Sequence, residues 1–213
     1  MSKKYFLAVD AGTGSVRAVL FDLEGSQIAC VQQEWEHKED PRYPGSMDFD
    51  WVHNWDLARS CIRGVIEQTG VNPREIAAVS TTCMREGIVL YDQQGQEIWA
   101  CANVDARSDD EVAQLVHMNP ELEKEIYRES GQTYALGALP RLFWVKNKMP
   151  QVYEKTAMCT MFNDWLIYKM TGVFSSEPSN ACTTGIFNLE KRDWDDRIAA
   201  SIGLKTGIFP KIS

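Results

Sequence analysis

The stretch DAGTGSVR, Asp10 to Arg17, sets an acidic side chain, two glycines around a threonine, a serine and an arginine close together. Residues of these types serve phosphate: glycine lets backbone amides approach oxygens, hydroxyls donate hydrogen bonds, and a guanidinium supplies charge. A Walker loop needs a lysine directly after its second glycine, and here Ser15 follows Gly14. A dinucleotide fingerprint needs a third glycine and a helix behind it, but Arg17 stands at that place and SVRAVLF reads as a strand. What remains is a turn between two strands. In it Gly12, Thr13, Gly14 and Ser15 meet phosphate oxygens, Arg17 adds charge, and Asp10 holds a magnesium ion directly or through water. A plain tight turn with an exposed aspartate accounts for the same residues, and composition leaves the two open.

Other chemistry-bearing residues are less specific on their own. Arg85-Glu86 follows the strand-like IAAVSTTC and reads first as a surface ion pair. His37, His53 and His117 stand apart from one another, so no general base is marked. The six cysteines show neither a CxxC nor a histidine companion, so neither a zinc site nor a disulfide framework is signalled, and a reduced compartment is expected.

The elements that must position these residues alternate in type. Residues 4–35 predict three strands, KYFLAVD, SVRAVLFDLEG and SQIACVQQEW, joined by glycine-bearing turns into a meander. Residues 36–50 carry prolines and mixed charge without period and read as a loop ending at Asp50 as N-cap. From Trp51 to Thr69, apolar residues at spacings of three and four predict a helix packed on the meander, with Gly70 as its stop. Strands are expected again at IAAVSTTC, GIVLYD and EIWACAN. Helices are expected over 109–116, 120–130, 140–148 and 161–170, with another opening near Asp193.

With 213 residues, 44% of them hydrophobic and 24% charged, the chain has material for one sizeable core. A net charge of -8 makes nucleic acid and an anionic membrane poor partners and leaves room for a local cationic pocket. YFLAV before Asp10 is too short for a signal peptide or a membrane span, so a cytoplasmic location is expected.

Taken in order, VDAGTGSVRAVLFD, STTCMREGIVLYD, ANVDAR, NDWLIYKMTG and SNACTTGIFNLEKRDWDD resemble the FGGY carbohydrate kinases, of the actin, hexokinase and heat-shock-70 ATPase superfamily. The resemblance spans essentially the whole chain. It implies an α/β, ribonuclease H-like domain over 1–213, with a mixed sheet that opens on the three-strand meander and helices on its faces. It implies ATP and Mg2+ as cofactors and a small sugar or polyol as substrate. By the same resemblance, Asp10 is the magnesium residue and Gly12, Thr13, Gly14, Ser15 and Arg17 hold phosphate. Arg85 and Glu86 become substrate residues, since a guanidinium beside a carboxylate can donate to and accept from vicinal hydroxyls and carbonyls. Asp105 and Arg107 are candidates for the same pocket, with an internal salt bridge as the equal alternative.

Within the family, the succession DAGTGSVRAVLFDLEG, MREGIVLY, IWACANVDAR and PSNACTTG is most similar to members that phosphorylate a linear pentanedione signal. Xylulose and ribulose are alternative substrates, and a non-catalytic sugar-binding or regulatory domain is the alternative of a different class. Asn103 stands roughly where glycerol kinases carry a substrate-packing aromatic, which favours a more polar ligand. Arg141 replaces the family's lysine three residues before Trp144, and Ala138 stands where proline, serine or threonine is usual. Family members are roughly twice as long, so the catalytic aspartate, in a Gly-Asp-x-Gln stretch, and the second domain are expected beyond Ser213. The chain alone is then expected to be inactive. A further strand beside IAAVSTTC would also be missing, leaving an open sheet edge and a tendency to self-associate.

Overall fold

Three strands open the chain: β1 (Tyr5–Ala11), β2 (Ser15–Asp22) and β3 (Gln27–Glu34). Alternation decides their faces. Leu7, Val9 and Ala11 of β1 sit opposite Leu20, Ala18 and Val16 of β2 in antiparallel register, and all six are buried. This apolar face is covered by α1 (Trp51–Thr69), whose Ala58, Cys61 and Val65 recur on one side of the helix. The Cys61 thiol donates to the Val16 carbonyl at 3.4 Å. A Cβ added at Gly64 would lie 3.2 Å from Val31 of β3, so glycine lets the helix settle close onto that strand. The helix begins and ends as its sequence predicts: Asp50 accepts from the His53 amide at 3.0 Å, and Gly70 closes it at φ 65°.

These features come from a computed structural model that describes residues 3–213. The chain divides into two compact units, one up to His37 together with Asp50–Met84, the other Lys38–Phe49 together with Arg85–Ser213. The first unit is completed by β4 (Ile76–Cys83), which runs parallel to β1 and gives the mixed order β3-β2-β1-β4.

Strand β4 is an edge, as expected for IAAVSTTC. None of its eight residues is buried, and Val79 is 47% exposed. It carries no charge and no proline, the usual guards of an unpaired edge. The 213-residue chain is therefore expected to show concentration-dependent self-association in sedimentation at micromolar to millimolar protein, and Val79→Lys to return it to monomer. A parent that stays monomeric over that range would remove the edge as an adhesive surface.

In the second unit, β5 (Ile88–Tyr91) lies between β6 (Glu97–Cys101) and β7 (Met158–Met161) in an antiparallel sheet. All four residues of β5 are buried, which explains its unbroken apolar run. Around it are α2 (Asp109–Met118), α3 (Leu122–Ser130), α4 (Ala138–Lys148), α5 (Pro150–Lys155) and α6 (Phe162–Thr171). The unit ends with α7 (Pro178–Ala181), a short hairpin of β8 (Phe187–Asn188) and β9 (Asp193–Trp194), and α8 (Asp196–Ser201).

Three local expectations are corrected. Met161 ends a strand paired with Ile88 rather than starting a helix, because MCTM is too short and too uniformly apolar to declare its period. Pro150 sits at the first position of α5, where its missing N–H costs nothing, instead of in a loop. The helix expected near Asp193 starts at Asp196, capped by Asp195, because residues 193–194 pair with β8. Among the described residues no helix is long and apolar enough to cross a membrane.

Candidate functional site

In the first unit the turn between β1 and β2 is held from behind. The register Ser15 to Glu34 brings Trp35 alongside it. Trp35 Nε1 donates to the Gly12 and Thr13 carbonyls at 3.1 and 3.0 Å, and the Trp35 amide donates to the Gly14 carbonyl at 3.1 Å. His37 Nε2 adds a bond to the Thr13 carbonyl at 2.7 Å. A carbonyl can only accept, so this nitrogen carries the proton; burial lowers the His37 pKa, partly offset by that carbonyl. Across a trans peptide, C=O and N–H point oppositely. Tying three successive carbonyls to Trp35 and His37 thus turns the amides of Thr13, Gly14 and Ser15 the other way.

Neither Gly12 nor Gly14 has a positive φ, and no atom lies within 4 Å of a Cβ built at Gly14. The turn itself does not require glycine at 14, since a Cβ there would meet only open space. Asp10 faces Arg17 across the strands, and Arg17 Nε and Nη2 both bind Asp10 Oδ2, at 2.8 and 2.7 Å. Both bonds fall on one oxygen and leave Oδ1 for a cation. Magnesium takes one or two carboxylates beside phosphate oxygens and keeps several waters. A single aspartate at this strand end fits that demand, with no cluster of three metal-ligating side chains among the described residues.

The second unit holds Arg85, Glu86, Asn103, Asp105 and Arg107. Glu86 has φ 67°, and the Gly87 amide donates to the Arg85 carbonyl across it at 2.9 Å. This is the rarer, strained form of three-residue turn. Gly87 is hemmed in: a Cβ there would lie 2.4 Å from the ring of buried Phe162. Arg85 is exposed and Glu86 half-buried, so both side chains reach the surface of the unit. The Arg85 charge partly offsets the rise that burial gives the thiol of Cys182, the residue that follows α7.

Asp105 and Arg107 are placed in the internal salt bridge. The Asp105 side chain is fully buried and accepts from the Met47 amide at 2.6 Å and from Arg107 Nε at 2.8 Å. Arg107 also pairs with Asp48 and lies over the rings of Trp99 and Trp144, 5.3 and 5.0 Å from their centroids. Their bonding is taken up inside the unit, where they brace the turn that carries Asn103, and a direct ligand contact by Asp105 is not provided for. Trp35, His37 and Phe162 escape sequence reasoning. Their partners are set by strand register and by a contact between residues 87 and 162, neither of which a local motif reveals.

The profile of the FGGY family of carbohydrate kinases, N-terminal domain, matches residues 5–213. The chain is 49% identical over 212 residues to the autoinducer-2 kinase of Escherichia coli (strain K12), and 47% identical to that of Salmonella paratyphi B. In both cases 99% of this chain is covered, and it spans about 40% of the length of those relatives. Among solved structures, gluconate kinase from Lactobacillus acidophilus superposes with TM-score 0.88 at 22% identity, covering 100% of this chain and 42% of that one. Plasmodium falciparum glycerol kinase with ADP gives 0.85 at 18%, covering 99% and 43%. The superpositions agree with the mixed sheet in giving the actin- and hexokinase-like fold. With the profile running from the first strand to the last residue, and with these identities, the chain belongs to the FGGY family of carbohydrate kinases and corresponds to their N-terminal domain.

Proposed function

We propose that this chain supplies the phosphate turn and the substrate turn of an ATP-dependent kinase acting on a hydroxyl of a small, open-chain, sugar-like molecule. The hydroxylated linear pentanedione signal is the first candidate, with xylulose and ribulose as alternatives. The observation that carries this is the strained Arg85-Glu86 turn, with Arg85 exposed, in a chain 49% identical to autoinducer-2 kinase.

In this reading the amides of Thr13, Gly14 and Ser15 bind phosphate oxygens, and Arg17 orients Asp10. Asp10 would hold magnesium, which when bound neutralises charge on the phosphates. Arg85 donates to, and Glu86 accepts from, neighbouring oxygens of the substrate, and Asn103 adds an amide. The aspartate that accepts the hydroxyl proton, and the adenine pocket, are proposed to lie in the portion of the relatives that this chain does not span. Location in the cytoplasm belongs to the same proposal.

Calorimetric titration of the 213-residue chain with the pentanedione, D-xylulose and D-ribulose tests it. Millimolar or tighter binding of at least one ligand is expected without ATP, and Glu86→Gln should weaken it about tenfold by exchanging a charged acceptor for a neutral amide. No binding of any of the three would refute the substrate turn. Robust ATP-dependent phosphorylation by this chain would refute the placing of the proton acceptor elsewhere.

A further inference from the structure

Arg141 is 1% exposed, at the start of α4 among Leu142, Phe143 and Trp144. A guanidinium taken out of water is ordinarily matched by carboxylates, as Arg107 is by Asp105 and Asp48. The acceptors of Arg141 are of another kind, all of them main-chain carbonyls. Nη1 donates to Glu86 and, at 2.5 Å, to Leu136; Nη2 donates to Asn103 at 2.9 Å and to Asp105 at 3.1 Å. Nε is buried with no partner.

These four carbonyls belong to three segments far apart in sequence: the Arg85–Gly87 turn, the turn after β6, and the approach to α4. Because the acceptors are backbone atoms, the network fixes chain position whatever side chains are attached. A guanidinium is a rigid planar fork, so holding one carbonyl on Nη1 and another on Nη2 sets the distance between their segments. One of those segments is strained. A left-handed glutamate persists only where its surroundings over-determine it. Here the constraints are Arg141 on the Glu86 carbonyl and the Phe162 ring against Gly87. Arg141 thus fixes the Glu86 carbonyl, while Arg85 is exposed and Glu86 half-buried.

We propose that Arg141 is the positioning residue of the sugar site: its buried fork holds the Arg85–Gly87 turn and the Asn103–Asp105 turn at a fixed separation, and so sets which small polyol fits between their side chains. This rests on the assignment of Arg85 and Glu86 to substrate made above. Lysine does not reproduce the fork: its ammonium is a single point with three rotatable donors, and it cannot hold two carbonyls at the fixed separation of Nη1 and Nη2.

The test uses Arg141→Lys in the 213-residue chain, with amide hydrogen exchange at Gly87 and Asp105 and titration with D-xylulose and the pentanedione. The expected result is exchange about tenfold faster at both amides, at least about tenfold weaker binding, and a narrowed preference between the two ligands, with a cooperative thermal transition retained. If the parent binds neither ligand, the substrate reading falls and the positioning role with it. If the parent binds and Arg141→Lys binds within about twofold of it, only the positioning role is overturned. Should the variant not fold, nitrogen-edited NMR of the parent decides. Separate, protected Hη signals of Arg141 support the fork, and averaged, fast-exchanging ones overturn it.

Discussion

Gly87→Ala is expected to lower the thermal midpoint by roughly 6–12 °C, from about 3 kcal/mol of overpacking at about 2–4 °C per kcal/mol for a chain of this size. The added Cβ would fall 2.4, 2.8 and 2.9 Å from three atoms of the Phe162 ring, inside any real carbon contact. Relief by movement of the ring is barred. Phe162 is fully buried, with its centroid 4.2 Å from Phe49 and 6.2 Å from Trp165, and it begins α6, so its backbone is fixed as well. The backbone turn has to shift instead, and with it the Arg85-Glu86 pair.

A double variant separates this cause from a general intolerance of the turn. Phe162→Leu alone should destabilise by leaving a void, yet Gly87→Ala in that background should cost much less than in the parent. Residues in contact couple by about 0.5–3 kcal/mol, and here the coupling is favourable. Strictly additive midpoints in urea or heat would show that the ring is not what glycine accommodates. In the single Gly87→Ala variant, sugar titration should fail even at temperatures where the chain is folded, because the turn has moved.

The motifs that were legible in the sequence are those where chemistry and local structure coincide. Asp50 and Gly70 bracket α1 because a cap and a left-handed stop are local acts of the backbone. The missing lysine after Gly14 and the strand that follows exclude one phosphate loop each, and both are local features. What was not legible depends on register or on distant packing. Trp35 supports the turn between β1 and β2 only because β2 pairs with β3 at Ser15 and Glu34, and one residue of slip would turn its indole to the other face. The pair Asp105 and Arg107 reads equally as ligand or brace until Met47 and Asp48 are brought beside it from the preceding loop. Arg141 could be flagged as a departure from the family pattern, but its four carbonyl partners come from segments 5 to 55 residues away. Glu86 is the clearest conflict between levels: its residue type argues against a left-handed conformation, and tertiary contacts impose one at a turn proposed to bind substrate.

Asp164→Asn is expected to stabilise the chain by about 2 kcal/mol at pH 8 and to change it little at pH 4. Asp164 is 1% exposed in the first turn of α6. Burial pushes its carboxyl up to about 7 from 3.8, against the lowering effect of bonds from the Met161 amide and Asn180; the charge of Glu177 raises it further. The Met161 amide and Asn180 Nδ2 approach at 3.2 and 3.3 Å, so the site serves the helix cap in either protonation state. Among other ionisable groups beside it are Tyr91 and Cys159, whose own pKa values burial raises. The folded state therefore holds a proton that the unfolded state releases near pH 4. The protonated carboxyl's contribution is fully present below that pH and is lost as pH rises through about 7. A three-unit difference corresponds to about 4 kcal/mol, and relaxation around the charge brings the expected effect to about half of that. Asparagine keeps an acceptor for the Met161 amide without titrating. Urea midpoints of parent and variant between pH 4 and pH 8 should diverge as pH rises, while any contribution from the three histidines is common to both and cancels. Parallel curves across that interval would mean that Asp164 ionises in the fold as it does in water, and that the amide of Met161 and its neighbours suffice to hold a buried charge.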